Sequence, residues 1–327
     1  MIPRFSITAG GITADSSSLT DSGLPVSVRV DLRLNQINTA VIRMGLVPKG
    51  SVAVGDPVKI EMGNEANGTE TVFTGIVSEL RQETMAYTIW CSSALATLTH
   101  LRVNKVYAQQ KAGDIVRDIA SIAEVSTGSV ETGLDYPVYA LGADRHLLAH
   151  LHNLARRDGF DLYADADDTL VYAAYAPGPG LSQKLRYGAE ILAYHSETHA
   201  ARADGVEVYG ESPASLGEGD KAYSWLTKEE VKGNAGNSSG NVLRIADPSI
   251  RNQDAAGTAA EKILAELSTE MSGWTEALGT PKPKLGAAIK LADLPQNGPN
   301  GTFKITAVRH HFDKQRGYTT IIYWKEE

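Results

Sequence analysis

The chain has one cysteine, Cys91, in 327 residues, which excludes an intrachain disulfide, a multi-cysteine zinc site and an iron–sulfur cluster. Long apolar runs are also absent. No stretch approaches the ~20 residues a helix needs to cross a bilayer, and the opening MIPRFSITAGGITA has neither a charged n-region nor a long apolar h-region. The expectation is a soluble intracellular product with no secretory signal of the usual kind and no membrane insertion by this chain. Cations are in deficit, with 31 Lys plus Arg against 39 Asp plus Glu and a formal charge of −8. Such a surface repels phosphate unless its basic residues cluster, which argues against general DNA or RNA binding. The nucleotide signatures GxxxxGK[ST] and GxGxxG on a strand-to-helix turn are missing as well.

What is present is globular: 42% hydrophobic and 21% charged residues, at a length that allows two or three domains. From Ser27 to Arg33, Val28, Val30 and Leu32 alternate with Arg29, Asp31 and Arg33, the pattern of a strand with one buried face. Strands are expected again at 39–46, 57–62, 71–80 and 86–91, with turns such as Pro48-Lys49-Gly50 between them. The period then changes. Ile115, Ile119 and Ile122 fall on one helical face, and a second helix follows with Asp144 as its cap, Leu147, Leu151 and Leu154 as its stripe and Gly159 as its stop. A hairpin at 160–163 and 169–172, strand patterning from Leu192 to Tyr209 and a flexible loop GNAGNSSGN at 233–241 come next. A third helix is expected from Gln253 to Met271, and sheet closes the chain at 287–291, 302–309 and 318–324.

The two ends echo each other. Gly55, Val58, Lys59 and Ile60 match Gly286, Ile289, Lys290 and Leu291 at identical offsets. Thr71-Val-Phe73 is answered by Thr302-Phe303, and Tyr87-Thr88 by Tyr318-Thr319. Two β-units of similar topology around a helical middle are therefore expected, and a cyclic trimer of such a chain presents six similar units, which suits a hexameric partner.

Motifs that could carry chemistry are weak. Gly236-Asn-Ser238-Ser-Gly240 fits the nucleophile-elbow spacing, but the polar run before it does not read as a buried strand. His146, His150 and His152 cluster without an HExxH carboxylate, and His195 with His199 and His310 with His311 read as structural. Asp165, Asp167 and Asp168 lack the glycine and glutamate of a calcium loop and read as a hairpin turn. Asn67, Asn237 and Asn300 sit in glycosylation-type triplets that read simply as turns. No catalytic, cofactor-binding or metal-ligating residue is assigned, no cofactor is expected, and the chain is not read as an enzyme.

Three stretches resemble the phage late control protein D family, the hub proteins of contractile tails, which are similar to the N-terminal hub half of VgrG. They are Ala112-Gly-Asp-Ile115 through Ile119-Ala120, Leu147-Leu148 through Arg157-Asp158-Gly159-Phe160, and Gly301-Thr-Phe303-Lys-Ile305 with Val308-Arg-His310 and Gly317-Tyr318-Thr319-Thr320. The resemblance implies an α+β, mainly β fold: two tube-protein-like antiparallel β-barrels flanking an inserted α+β domain. The units would be 1–104, then 105–190 plus about 246–280, then 191–245 plus 281–327. It further implies a structural hub of a phage tail, tailocin or related injection system. That hub would be a homotrimeric symmetry adaptor between the hexameric inner tube and a trimeric central spike, made in the cytoplasm and ending in the tail baseplate. Implied partners are copies of itself, tail tube protein, the central spike, other baseplate proteins, and DNA or an effector passing through an acidic lumen. The chain ends without the oligonucleotide-binding-fold domain and β-helix of VgrG, so the spike is expected to be a separate polypeptide. The alternatives are a tail-associated cell-wall hydrolase, which needs two carboxylates in a cleft, and a receptor-binding tip, for which Trp225 and Trp274 are the loop-like aromatic candidates.

Overall fold

Period-two stretches become strands in the computed structural model, which describes residues 2–17, 25–45, 50–176, 183–210, 231–295 and 298–327. The first run is β1 (Pro3–Ala9), β2 (Ile12–Asp15), β3 (Pro25–Arg33), β4 (Thr39–Met44), β5 (Pro57–Asn64), β6 (Gly68–Gln82) and β7 (Tyr87–Ser92). A 3-10 turn at Ala94–Thr99 leads to β8 (Lys105–Lys111), α1 (Ala112–Ile122), β9 (Thr127–Val130), β10 (Asp135–Leu141), α2 (Leu147–Asp158), β11 (Phe160–Ala164) and β12 (Leu170–Ala174). The remainder is β13 (Gln183–Arg186), β14 (Ile191–Thr198), β15 (Gly205–Tyr209), β16 (Lys232–Gly236), β17 (Val242–Ala246), α3 (Gln253–Leu267), β18 (Met271–Leu278), β19 (Ala288–Ala292), β20 (Gly301–Asp313) and β21 (Gly317–Lys325). The protein is mainly β with few helices.

One sheet dominates. Its path runs β14-β18-β21-β20-β3-β4-β7-β6-β5-β1-β2, with β19 beside β20 and β13 beside β19. Two separate closed barrels are not what this pairing describes, because β20 bonds to β3 from Ala307↔Arg33 to Asp313↔Ser27 and fuses the two strand sets. The reason lies in strand length. β20 has 13 residues, and β19 covers only Gly301–Lys304 on that side. The rest would be a bare edge of unpaired backbone groups, which β3 satisfies.

Within the fused sheet a tandem repeat is visible. In the first set the order is β3-β4-β7-β6-β5, and in the second it is β14-β18-β21-β20-β19. Taken in chain order, both read first, second, fifth, fourth, third. The bulges coincide too: a register shift lies between Pro25 and Ser27 in β3 and between Ile191 and Ala193 in β14, and another between Val77 and Glu79 in β6 and between Ile305 and Ala307 in β20. Gly55 donates to the Val77 carbonyl as Gly286 does to Ile305, and both glycines have positive φ (94° and 67°), which a side chain would strain. The sequence echo at Gly55 and Gly286 is thus in structural register. Further along it slips by two residues: Val58 faces Gly75 while Ile289 faces Phe303, and Ile60 faces Phe73 while Leu291 faces Gly301. Phe73 lies over Gly75 and Phe303 over Gly301, so the same aromatic volume enters from opposite ends of an i, i+2 pair.

Apolar burial divides into three clusters. The first fills the inner face of the large sheet, from Phe5 and Val28 to Ile322 and Trp324. A second packs α1 and α2 against β8–β12, with Ile115, Ile119, Leu147, Leu151 and Leu154 each fully buried. The third sits between α3 and a small sheet, β16-β15-β17. β18 therefore lies in the large sheet, although the sequence grouped its residues with the helical insert. Likewise β15–β17 stand apart from the large sheet, in which the sequence reading had placed them.

Element ends carry further corrections. His146, not Asp144, is the α2 cap: its backbone is extended and its Nδ1 accepts from the Ala149 amide at 3.1 Å. Gly159 closes the helix at φ 66° as expected. α3 stops at Leu267, where Ser268 caps it, and Met271 instead opens β18 against β21. Half of the glycine-rich 233–241 segment is strand β16, because the edge of β15 offers it a ladder.

Asn38 locks the β3–β4 turn to β11. Its Oδ1 accepts from the Arg33 amide at 3.0 Å, and its Nδ2 donates to the Ala164 carbonyl at 2.7 Å in a buried site. Asn38→Ala is expected to lower the unfolding free energy by about 1–3 kcal/mol, through two stranded backbone groups; urea unfolding with an unchanged m-value checks this.

Candidate functional site

The residues singled out for chemistry fall in structural roles. Ser238 lies in the turn between β16 and β17, where Asn237 Oδ1 accepts from the Ser239 amide and hydroxyl at 3.1 and 3.0 Å. The strand that precedes it, β16, is not a buried one, and a strand and not a helix follows, so the elbow geometry is not built. His146 is committed to its cap, and His150 to Gly142 O (3.2 Å) and Tyr139 Oη (3.4 Å). Burial and the neighbouring His146 hold His152 below the usual imidazole range. Among the described residues no group of three or more His, Cys, Asp or Glu could hold a metal ion.

Asp165, Asp167 and Asp168 form the β11–β12 turn. Asp165 accepts from the amides of Asp167 and Thr169 and from the Thr169 hydroxyl, at 3.0, 2.9 and 2.8 Å. Asp168, at φ 63°, reaches across the fold to the Ala94 amide at 2.9 Å and so caps the 3-10 turn. Burial lifts its carboxyl to about 6, against that hydrogen bond. His195 stacks on Trp274 across β14 and β18 at 6.1 Å, so Trp274 is a strand residue and not a loop aromatic; Trp225 lies outside the described residues. His310 is buried and His311 half-exposed on opposite faces of β20. Cys91 is buried, which pushes its thiol up to about 12 and makes it a core residue.

One buried polar network escaped the sequence. Arg157 Nε donates to Asp247 Oδ2 at 2.5 Å, and its guanidinium lies 5.9 and 5.8 Å from the Tyr136 and Tyr139 ring centres. The adjacent Asp158 accepts from Tyr172 Oη and, at 3.1 Å, from the Leu134 amide; burial raises its carboxyl to about 6. These bonds tie α2 to β10, β12 and the end of β17.

The feature with assembly geometry is the outward face of the large sheet. Asp31 of β3 accepts from Arg309 of β20 at 2.5 Å and from Arg29 at 2.8 Å, so a charge-assisted triad straddles the joint between the two repeats. Arg33 stacks over Tyr323 nearby, 5.6 Å from its ring centre. A shallow depression on the same face is lined by Arg29, Val41, Arg43, Arg81, Trp90 and His311, among others. Its lining sets three arginines and His311 against one carboxylate, Glu83.

Comparison with known proteins settles the family. The model of the phage tail baseplate hub (GPD) matches residues 30–316. The chain belongs to the phage tail baseplate hub family. The hub is a structural, non-enzymatic component of the virion tail baseplate, where its partners are tail and baseplate proteins. No curated protein matches it by sequence. Its fold is similar to the 43 kDa tail protein of prophage MuSo2 from Shewanella oneidensis, at 13% identity and TM-score 0.72, with 98% of each chain covered. A tail protein from Neisseria meningitidis MC58 gives 12% identity and TM-score 0.75, covering 100% of the hub and 97% of that chain. The c3393 protein of E. coli, a type VI secretion component described as similar in structure to T4 bacteriophage tail proteins gp27 and gp5, gives 12% identity and TM-score 0.57, with 94% and 74% covered. Identities this low speak to fold alone.

Proposed function

We propose that the hub is a homotrimeric symmetry adaptor that joins the hexameric inner tube of the tail to a trimeric central spike. The observation that carries this reading is the tandem repeat: two five-stranded sets in one chain, with the same strand order and coincident bulges. Three chains in a closed ring then offer six near-equivalent sheets to a sixfold tube, while the rest of the chain keeps threefold symmetry. The repeats, 25–92 and 191–198 with 271–325, are the tube-like units. The segments packed on α1, α2 and α3 form the insert between them. The outward sheet face lines the lumen with mixed charge, a surface along which DNA or an effector slides without a strong field of either sign. Spike and other baseplate proteins dock away from the tube face.

Native mass spectrometry of the purified hub tests this, with cryo-EM class averages of the same sample. A trimer whose averages show a ring of six similar lobes is the expected outcome. A monomer at all concentrations, or a ring without pseudo-sixfold symmetry, would overturn the adaptor reading.

A further inference from the structure

The joint inside the chain has a counterpart that is open in a single copy. In β20, one flank is covered first by β19 (Gly301–Lys304) and then by β3 (Ala307–Asp313). The equivalent flank of β6 is covered by β5 only from Gly68 to Ile76, and among the described residues no strand pairs with it beyond Val77. The first strand of the second repeat, β14, pairs with β18 on one side and with no described strand on the other. Each repeat therefore has a fourth strand and a first strand of matching design. Only one of the two possible fourth-to-first joints is made within the chain.

Register fixes what the second joint would look like. The shared bulges align Val77 with Ile305 and Ser78 with Thr306, so Glu79, Arg81 and Glu83 stand where Ala307, Arg309 and His311 stand. The bulge between Ile191 and Ala193 aligns β14 with β3, so His195, Glu197 and His199 stand where Arg29, Asp31 and Arg33 stand. In the internal joint the directly opposed residues are Ala307↔Arg33, Arg309↔Asp31 and His311↔Arg29. Transferred to the open edges, this register opposes Glu79 to His199, Arg81 to Glu197 and Glu83 to His195.

From this register we infer that β6 of one hub molecule pairs antiparallel with β14 of the next, with Arg81 and Glu197 repeating between copies the ion pair that Arg309 and Asp31 make within one. The inference rests on the trimeric reading and names its interface. The occupant is a second copy because the complementarity is internal to the chain: an Arg and a carboxylate recur at the equivalent positions, and each flanking pair sets a carboxylate against an imidazole. The partners are available. Arg81 is half-exposed and, among the described residues, bonded to Glu79 at 3.0 Å, a surface pair of the kind that contributes little, and Glu197 is exposed with a 3.3 Å contact from the Ser272 hydroxyl. Within one chain the two edges stay apart: β14 and β6 lie at different places in the sheet order and do not pair with each other. The contact is heterologous, first strand to fourth, so it propagates around a ring and covers both of these edges in every copy when three chains close it.

Two measurements on the full-length hub test the joint. In sedimentation velocity, Arg81→Glu and Glu197→Arg are each expected to raise the trimer's dissociation midpoint about tenfold or more, because like charges then oppose at every joint. The double variant Arg81→Glu/Glu197→Arg is expected to return it to near the wild-type value. Circular dichroism and thermal melting of each variant separate assembly from folding. Independently, Glu83→Cys/His195→Cys is expected to form intermolecular disulfides on mild oxidation, while Glu83→Cys/Glu197→Cys, two residues out of register, does not; the native Cys91 is buried and does not interfere. A wild-type trimer that neither charge reversal weakens, or one that cross-links in the slipped register or not at all, would overturn this joint and leave the ring standing. A wild-type monomer would remove both.

Discussion

Replacing Asp161 with alanine is expected to lower the unfolding free energy by about 3–5 kcal/mol, because it leaves the Lys304 ammonium buried without its counter-ion. Lys304 Nζ meets Asp161 Oδ1 at 2.9 Å, with the two side chains only 8% and 12% exposed. The pair links β20 of the large sheet to β11 of the helical segment. Tyr175 covers the ammonium, its ring centre 4.7 Å away. Coulomb attraction at this depth does no more than offset the desolvation of both ions, so the pair specifies how the segments dock more than it adds stability. The double replacement Asp161→Leu/Lys304→Met is accordingly expected to recover most of the loss, since it removes both charges and keeps the volume. Chemical denaturation of the three proteins checks this. A single variant within about 1 kcal/mol of wild type would mean that Lys304 swings to solvent at little penalty.

The second large effect is in acid. His310 is 1% exposed, accepts or donates one bond with Tyr318 Oη at 2.9 Å, and is held neutral by burial, with Lys284 adding to the effect, so its imidazole falls to about 3. A base whose folded value lies below its unfolded one contributes stability that is complete above the unfolded value, near 6.5, and is lost as pH falls toward the folded value. The loss amounts to about 4–5 kcal/mol by pH 3, at 1.36 kcal/mol per unit. Asp158 and Asp168 act in the opposite sense: their carboxyls are raised to about 6, so the stability they contribute is present below about pH 4 and is lost as pH rises through about 6. Wild-type stability alone therefore masks the histidine. The difference between wild type and His310→Gln isolates it, and that difference is expected to shrink steadily from pH 6.5 to pH 3, because glutamine keeps a partner for Tyr318 and does not titrate. A pH-independent difference would show that the imidazole charges without penalty, through an opening of β20 and β21 that the fold does not suggest.

Much of this fold was legible because the signals involved are local. Three leucines at helical spacing and a glycine free to take positive φ mark α2, and alternation marks β3, β4, β20 and β21, each decided within a few residues of the signal. The Gly55 and Gly286 echo was legible for the same reason: a left-handed glycine followed by an alternating Val/Lys/Ile or Ile/Lys/Leu strand is a short-range unit. Where the echo ran on to Phe73 and Phe303 it slipped by two residues, because packing asks for one aromatic ring on that face and does not mind which of two neighbouring positions supplies it. β8, β10 and β16 were missed since their sequences are mixed and they become strands only by finding an edge. No spacing rule connects Asp161 to Lys304, or Arg157 to Asp247.

The sequence by itself determined the composition of the parts: a mainly β chain with three helices in the middle, no cysteine chemistry, a glycine-led strand motif used twice, and hub-like segments in the hub order. Tertiary structure alone decided that the two strand sets share one sheet, that Asp31 answers Arg309, and that β6 and β14 keep matching edges uncovered among the described residues. The division has a physical cause. Hydrophobic period and turn chemistry act over a handful of residues, whereas the pairing of strands nearly three hundred residues apart is chosen by which backbone edges remain unsatisfied once the local pieces have formed.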